Sequence, residues 1–158
     1  MGELRSLVQA ALPGAVVAEI EHRGELTLEV PRERLLDVAR LLRSDEGGAF
    51  ALLSDLTCAD FPEEPGRFRL AYQLSSLETG ARVRLRVWAG AEQPEVDSVV
   101  GVWPTADWHE REVFDMFGVV FRGHPDMSRI LMPTDWEGHP LRRDYPLGGE
   151  EVEFSDAV

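Results

Sequence analysis

Lysine and asparagine are absent from this chain, so all 16 of its basic side chains are arginine. Both missing residues have A-rich codons, and a GC-rich genome is the simplest cause. Arginine richness by itself therefore supports no functional claim. Cysteine is nearly absent too. Cys58 stands alone, which excludes an internal disulfide framework and any thiolate-ligated iron–sulfur cluster built by this chain alone. Within a segment that reads as a buried strand, it is expected to be a small core residue. Long apolar runs are also missing. Val99 to Trp103 is typical of those present, far short of the roughly 20 residues of a membrane span. Met1 to Leu12 mixes Glu3, Arg5 and Gln9 with its apolar residues and lacks the apolar block and cleavage site of a signal peptide. A cytosolic protein is expected, or one held at a membrane only through others. Bases are scarce against 29 acids, and the net charge is −13. Phosphate backbones and anionic lipid headgroups repel such a body, so direct binding to nucleic acid or a membrane surface is disfavoured.

What remains is a chain of 158 residues, 44% of them hydrophobic, enough for one domain with a real core. Leu4, Leu7, Val8 and Ala11 have helical spacing up to Pro13-Gly14. Ala15 to Glu21 and Glu25 to Val30 read as a hairpin around His22-Arg23-Gly24. Pro31 to Arg43 turns helical, with Leu35, Val38, Ala39 and Leu42 on one stripe. Three strands follow, Ala49 to Cys58, Arg67 to Ser75 and Ala81 to Trp88, spaced as an antiparallel meander. The last alternates Val83, Leu85 and Val87 with Arg82, Arg84 and Arg86. This arginine face, joined by Arg67 and Arg69, is expected to guard exposed strand positions against edge pairing; the alternative is a docking site for an acidic partner. Val96, Val99 and Val100 suggest a short helix after Pro94.

A clearer helix follows, with Asp107 as its cap, Glu110 three residues on, and Gly118 as its stop. Its apolar stripe is Ala106, Val113, Phe114 and Phe117. The expected class is therefore α+β: a hairpin plus meander packed on helices over residues 1–118. Residues 119–158 form an extended, proline-rich arm. Only short extended pieces, such as Val119 to Phe121 and Ile130 to Met132, stand out in it. Phe121-Arg122-Gly123-His124-Pro125 and Trp136-Glu137-Gly138-His139-Pro140 echo one another and predict two similar tight turns.

The densest ionisable cluster is His109, Glu110, Arg111, Glu112 and Asp115. Helical spacing brings some of these together, so a metal site or an acid/base pair is geometrically feasible. A zinc-protease arrangement is excluded, because Val113 stands where the second histidine belongs. A solvated or salt-bridged helix face accounts for the same residues. His124 and His139, each between glycine and proline, are expected to make turn hydrogen bonds. Chemistry alone describes a binding module.

The run Glu110-Arg111-Glu112-Val113-Phe114-Asp115-Met116-Phe117-Gly118, continuing through Gly123-His124-Pro125 to Leu131, resembles the signature of the C-type subunit of NADH-quinone oxidoreductase, respiratory complex I. Asp135 to Leu147, with Trp136, His139, Arg142, Arg143 and Tyr145, is similar to that family's second characteristic stretch. Ser128 departs from the family pattern, which commonly has a basic residue or proline there. The resemblance implies a subunit of the peripheral arm on the cytoplasmic side of the membrane, beside the quinone-binding subunit and the subunit that carries the last cluster. The complex uses FMN, iron–sulfur clusters and quinone, but this chain is expected to bind none of them and to supply no catalytic or metal-ligating residue. Glu110, Arg111, Glu112, Asp115, Gly123, His124 and Pro125 carry over as structural or interface positions, and Arg142 or Arg143 is expected to pair with the helix carboxylates. Trp136, His139, Arg142, Arg143 and Tyr145 are the expected partner contacts, with residues from Pro133 onward docking on a neighbour and Glu150 to Val158 least ordered. The rivals are the equivalent subunit of a membrane-bound hydrogenase or F420H2 dehydrogenase, and a stand-alone hydrolase using His109, Glu112 and His124.

Overall fold

A computed structural model describes residues 2–148. In chain order it contains α1 (Gly2–Ala11), β1 (Ala18–His22), β2 (Glu25–Glu29), α2 (Leu35–Arg43), β3 (Leu52–Asp60), β4 (Phe68–Ser75), β5 (Arg82–Trp88), β6 (Glu95–Asp97), α3 (Ala106–Phe117) and β7 (Val120–Arg122). The α+β class is the expected one. Arg23 and Gly24 both take positive φ, 52° and 80°, the two-residue turn whose twist suits the antiparallel strands it joins. β3, β4 and β5 form the expected meander.

How hairpin and meander join was not anticipated. β2 runs parallel to β5, with Leu26 opposite Val83 and Leu28 opposite Leu85. The result is one mixed sheet of order β1-β2-β5-β4-β3. α2, β3 and β4 make up the long crossover that a parallel pair requires. Alternation marks which face of a strand is buried, but it carries no strand direction.

One sheet face is apolar, and Leu28, Leu70, Tyr72, Leu85 and Val87 are buried on it. The stripe of α2, Leu35, Val38, Ala39 and Leu42, is buried as expected. α3 packs along β3. Cys58 lies in the core, where burial pushes its thiol up to about 12.

The arginine face needs correction. β5 is the central strand, so its arginines guard no edge. Arg84 pairs with Glu25 at 3.0 Å, and Arg86 pairs with Glu29 on the same neighbouring strand. Arg69 lies over the rings of Phe61 and Trp88, 4.1 and 5.6 Å from their centroids. All but the contact with Phe61, which follows β3, are cross-strand pairs within the sheet.

Two boundaries also move. Residues 95–97 form a strand rather than a helix, because Val96 pairs with Phe121 of β7. Three valines fit a helical turn equally well, so a tertiary partner decides. β7 lies wholly beyond the expected boundary at Gly118, yet Val119 and Phe121 are buried in the same core. The segment without regular pairing begins at Gly123. The expectation for Glu150 to Val158 lies outside the described residues.

Candidate functional site

The resemblance centres on α3, and the structure makes this helix the anchor of everything that follows it. Its start is fixed by Trp103, whose buried indole N–H donates to the carbonyl of Phe50 at 2.9 Å. Thr105 rather than Asp107 is the N-cap residue, and no side-chain cap bond forms. Gly118 ends the helix at φ 72° and donates its N–H to Phe114 O. Any Cβ there would run into His139 and Arg142, so the glycine serves both the left-handed turn and the close approach.

Two of the expected surface carboxylates are fully buried. Asp115 accepts from Arg129 Nη1 at 2.6 Å through Oδ1. Its Oδ2 accepts three successive backbone N–H groups, of Ile130 at 3.0, Leu131 at 2.8 and Met132 at 2.9 Å. Burial pushes this carboxyl up, but Met132, Arg129, Leu131 and Ile130 outweigh it and hold it below the usual range. Glu110 has fewer donors. Its Oε2 accepts from Ser98 Oγ at 2.6 Å and its Oε1 from Val99 N–H at 2.7 Å. Burial dominates here and pushes the carboxyl up to about 7. The expectation of a solvated or salt-bridged face therefore fails for Glu110, holds for Asp115 as a buried ion pair with Arg129, and holds for Glu112, which is exposed. The expected ion-pair partners are also wrong. Arg129 meets Asp115, whereas Arg142 and Arg143 do not.

The last carbonyls of α3 have no helical partner, and the following chain covers them. Asp115 O accepts from Arg129 at 3.2 Å and from His139 Nδ1 at 3.0 Å. Met116 O accepts from Leu141 N–H at 3.0 Å. Phe117 O accepts from Arg142 Nε. Cationic donors at this end also suit the helix dipole. Burial lowers both His139 and Arg142 from their usual values.

A second clamp lies on β3. Asp60 takes a two-pronged contact from Arg67 at 2.8 and 2.9 Å, and Arg143 N–H donates to it at 2.8 Å. Arg67 reaches Asp144 as well, at 2.8 Å. Arg67 holds Asp60 below its usual range. Residues 133–148 thus gather hydrogen bonds from α3 and β3 of their own domain.

The other signature positions have local roles. Arg111 donates to Ser128 O at 3.2 Å and Ser128 Oγ at 2.8 Å, and its guanidinium lies 5.1 Å from the Trp108 ring. The residue that departs from the family pattern is thus the partner of Arg111. His124 makes the expected turn bond. Its Nδ1 accepts from Asp126 N–H at 3.0 Å, so Nε2 carries the proton and donates to Asp107. Gly123 takes φ 82° ahead of it. Tyr145 is half-buried, and a Cβ on Gly138 would meet its ring at 2.9 Å. Trp136 is half-buried, and its shielded indole nitrogen meets no acceptor among the described residues. His109 instead faces Asp55 at 3.8 Å, so the three residues of the hydrolase reading do not converge. Among the described residues no group of three or more His, Cys, Asp or Glu could hold a metal.

The model of the respiratory-chain NADH dehydrogenase 30 Kd subunit family matches residues 28–151. This chain belongs to that family. The C-type subunit of NADH-quinone oxidoreductase from Roseiflexus sp. (strain RS-1) is 49% identical over 148 residues, covering 94% of this chain and 85% of that one. Its counterpart from Acidothermus cellulolyticus is 50% identical, covering 93% and 77%. Among solved structures, a trypsin-resistant fragment of Nqo5 shares 32% identity at a TM-score of 0.65, covering 80% of this chain and 99% of the fragment. A chain of the membrane-bound sulfane sulfur reductase, an archaeal respiratory membrane complex, shares the fold at a TM-score of 0.78 and 24% identity, covering 92% of this chain and 85% of its own. The resemblance read from α3 and the Trp136 stretch is borne out.

For a member of this family, sequence reasoning missed Ser98, Asp60, Arg67 and Arg129. Ser98 and Arg129 partner the signature helix from outside it, Asp60 and Arg67 hold Arg143 and Asp144, and no spacing rule reveals these pairings. No helix of the described residues is long and apolar enough to cross a membrane.

Proposed function

We propose that this chain is a non-catalytic structural subunit in the peripheral arm of a proton-translocating NADH-quinone oxidoreductase, on the cytoplasmic side of the membrane. It braces the quinone-binding subunit and the neighbouring cluster-bearing subunit, while FMN, the iron–sulfur clusters and quinone are held by other chains of the complex. The observation that carries this reading is the use of Asp115. Its carboxylate lies in the stretch most like the family signature, and both of its oxygens are taken up in fixing residues 129–132. A group so engaged positions a docking segment and is not free to exchange protons with a substrate.

The surface left exposed suits such a role. Trp108 lies seven residues before Asp115, on the same helical stripe, and is 64% exposed, while Leu131, Leu141 and Leu147 are exposed along the following segment. Tryptophan and arginine side by side are typical anchors of protein interfaces. Docking through residues 133–148 thus rests on these side chains more than on Arg142, which caps α3. The fold shared with the archaeal sulfane sulfur reductase chain favours one second reading, the equivalent subunit of another membrane respiratory complex. Identifying the subunits that co-purify with a tagged copy separates the two.

Arg111→Ala tests the role itself. It frees Ser128 and should reduce the yield of intact complex while leaving turnover per assembled complex near normal. Full assembly with collapsed turnover would overturn the proposal.

A further inference from the structure

We infer that the cleft between the end of α2 and β7 is a docking site for an acidic segment of a neighbouring protein subunit, an inference that rests on the proposed place of this chain in a complex. Arg40 and Arg43, in the last turn of α2, line this cleft of about 510 Å³ together with Arg122 of β7. Arg40 and Arg43 are exposed, and among the described residues neither guanidinium has a hydrogen-bond or ion-pair partner. Arg122 is held in place by Asp97 at 3.0 Å and Glu95 at 3.6 Å.

Three arginines stand against two carboxylates, Asp97 in the lining and Glu95 at Arg122, which leaves the cleft about one charge positive. The chain as a whole has the opposite sign, with a net charge of −13. Cations in a last helical turn are ordinary, because they suit the helix dipole. That accounts for Arg40 and Arg43 singly. It does not account for both being left unpaired on so acidic a surface, beside a third arginine, Arg122, that has its own carboxylates.

The shape favours a peptide over a small ion. The cleft is open and holds several side chains' worth of space. Gly101 and Gly123 line it, and a Cβ on either would meet nothing within 4 Å, so another backbone can come close. An extended polyanion is a poor occupant, because a phosphate backbone or anionic bilayer would also face the acidic remainder of the chain. A short acidic loop presents its charge locally and escapes that repulsion.

The test uses the intact complex. With the photo-crosslinking residue p-benzoylphenylalanine in place of Leu36, a side chain already in the wall of the cleft, illumination should join this chain to a partner peptide rich in Asp and Glu. Cross-linking to lipid, to nucleic acid or to an apolar or basic peptide would overturn the inference, as would no cross-link at all. The double variant Arg40→Glu with Arg43→Glu should be retained in the complex roughly tenfold less well at low salt, while the isolated chain still folds and melts cooperatively, only somewhat lower because the helix end loses two cations. Gly101→Leu, which fills the cleft without touching its charge, should cause a loss in the same direction. Full retention of both variants would defeat the docking site and leave the proposed function standing. If the unsubstituted chain co-purifies with no respiratory subunit, both fall together.

Discussion

At its start α3 holds a loop through a buried carboxylate with two donors, and at its end it holds a longer segment through another with four. Glu110 fixes residues 98 and 99 with one hydroxyl and one amide. Asp115 fixes residues 129–132 with three amides and a guanidinium. Burial pushes both carboxyls up, yet one ends near 7 and the other below its usual range. The donors make the difference. A cation and three aligned N–H groups more than replace the lost water, and a single amide with a hydroxyl does not. The helix thus carries one carboxylate that stabilises most when ionised and one that stabilises most when neutral.

Asp115→Ala is expected to have the largest effect. It leaves Arg129 with carbonyl acceptors but no carboxylate and three backbone N–H groups without their acceptor, and removing one partner of a buried charge pair costs about 3–5 kcal/mol. Urea denaturation of the isolated chain would show the loss, with rapid amide exchange at Ile130, Leu131 and Met132. Because the folded Asp115 is held low, its contribution is present above the unfolded value of 3.8 and is lost as pH falls through the folded one. The variant should therefore lose part of the acid limb of the stability profile. A variant as stable as the parent, with residues 130–132 still protected, would refute this account of the segment.

Glu110→Gln should act in the opposite sense. The folded value lies near 7 against 4.5 for the free side chain. The stabilising share is therefore complete below 4.5 and is lost as pH rises toward 7. Glutamine keeps an acceptor for Val99 and never ionises, so the variant should gain on the parent between pH 4.5 and 7 and keep that lead above it. The span corresponds to about 3 kcal/mol at most. Parallel stability profiles for variant and parent across this range would show that Glu110 is not the group responsible.

These two carboxylates also mark what could be read before the fold was known. The strands of the meander and the stripe of α2 were legible, because alternation and helical spacing record burial directly. The parallel pairing of β2 with β5 was not, since side-chain alternation carries no direction. Asp115 and Glu110 were legible as a cluster, but not as buried groups, because charged side chains at helical spacing describe an exposed face equally well. Their partners lie in segments without periodicity. Arg129 is no more conspicuous in that stretch than Arg142 or Arg143, and only the folded chain chooses between them. The family, by contrast, was legible from Glu110 to Leu131, since a long run of residue identities needs no knowledge of its contacts.

The smallest effect on stability is expected at Trp108, where the stripe that carries Asp115 continues beyond the cover of residues 129–132. Its side chain is 64% exposed and touches the Arg111 guanidinium. An exposed cation–π pair contributes about 0.5–1 kcal/mol, so Trp108→Ala should change the unfolding free energy of the isolated chain by no more than that. In the assembled complex the balance reverses if the stripe meets a partner. Truncating a tryptophan anchor at an interface typically costs about 2 kcal/mol or more, enough to weaken association by a factor of roughly 30. The informative measurement is therefore a pair: the melting temperature of the isolated variant and its retention in the purified complex under competition with the parent chain. Near-parental melting with clear loss of retention places the interface on the uncovered half of α3. Equal retention would mean that the tryptophan faces water in the complex too, and that docking depends on Leu131, Leu141 and Leu147 without it.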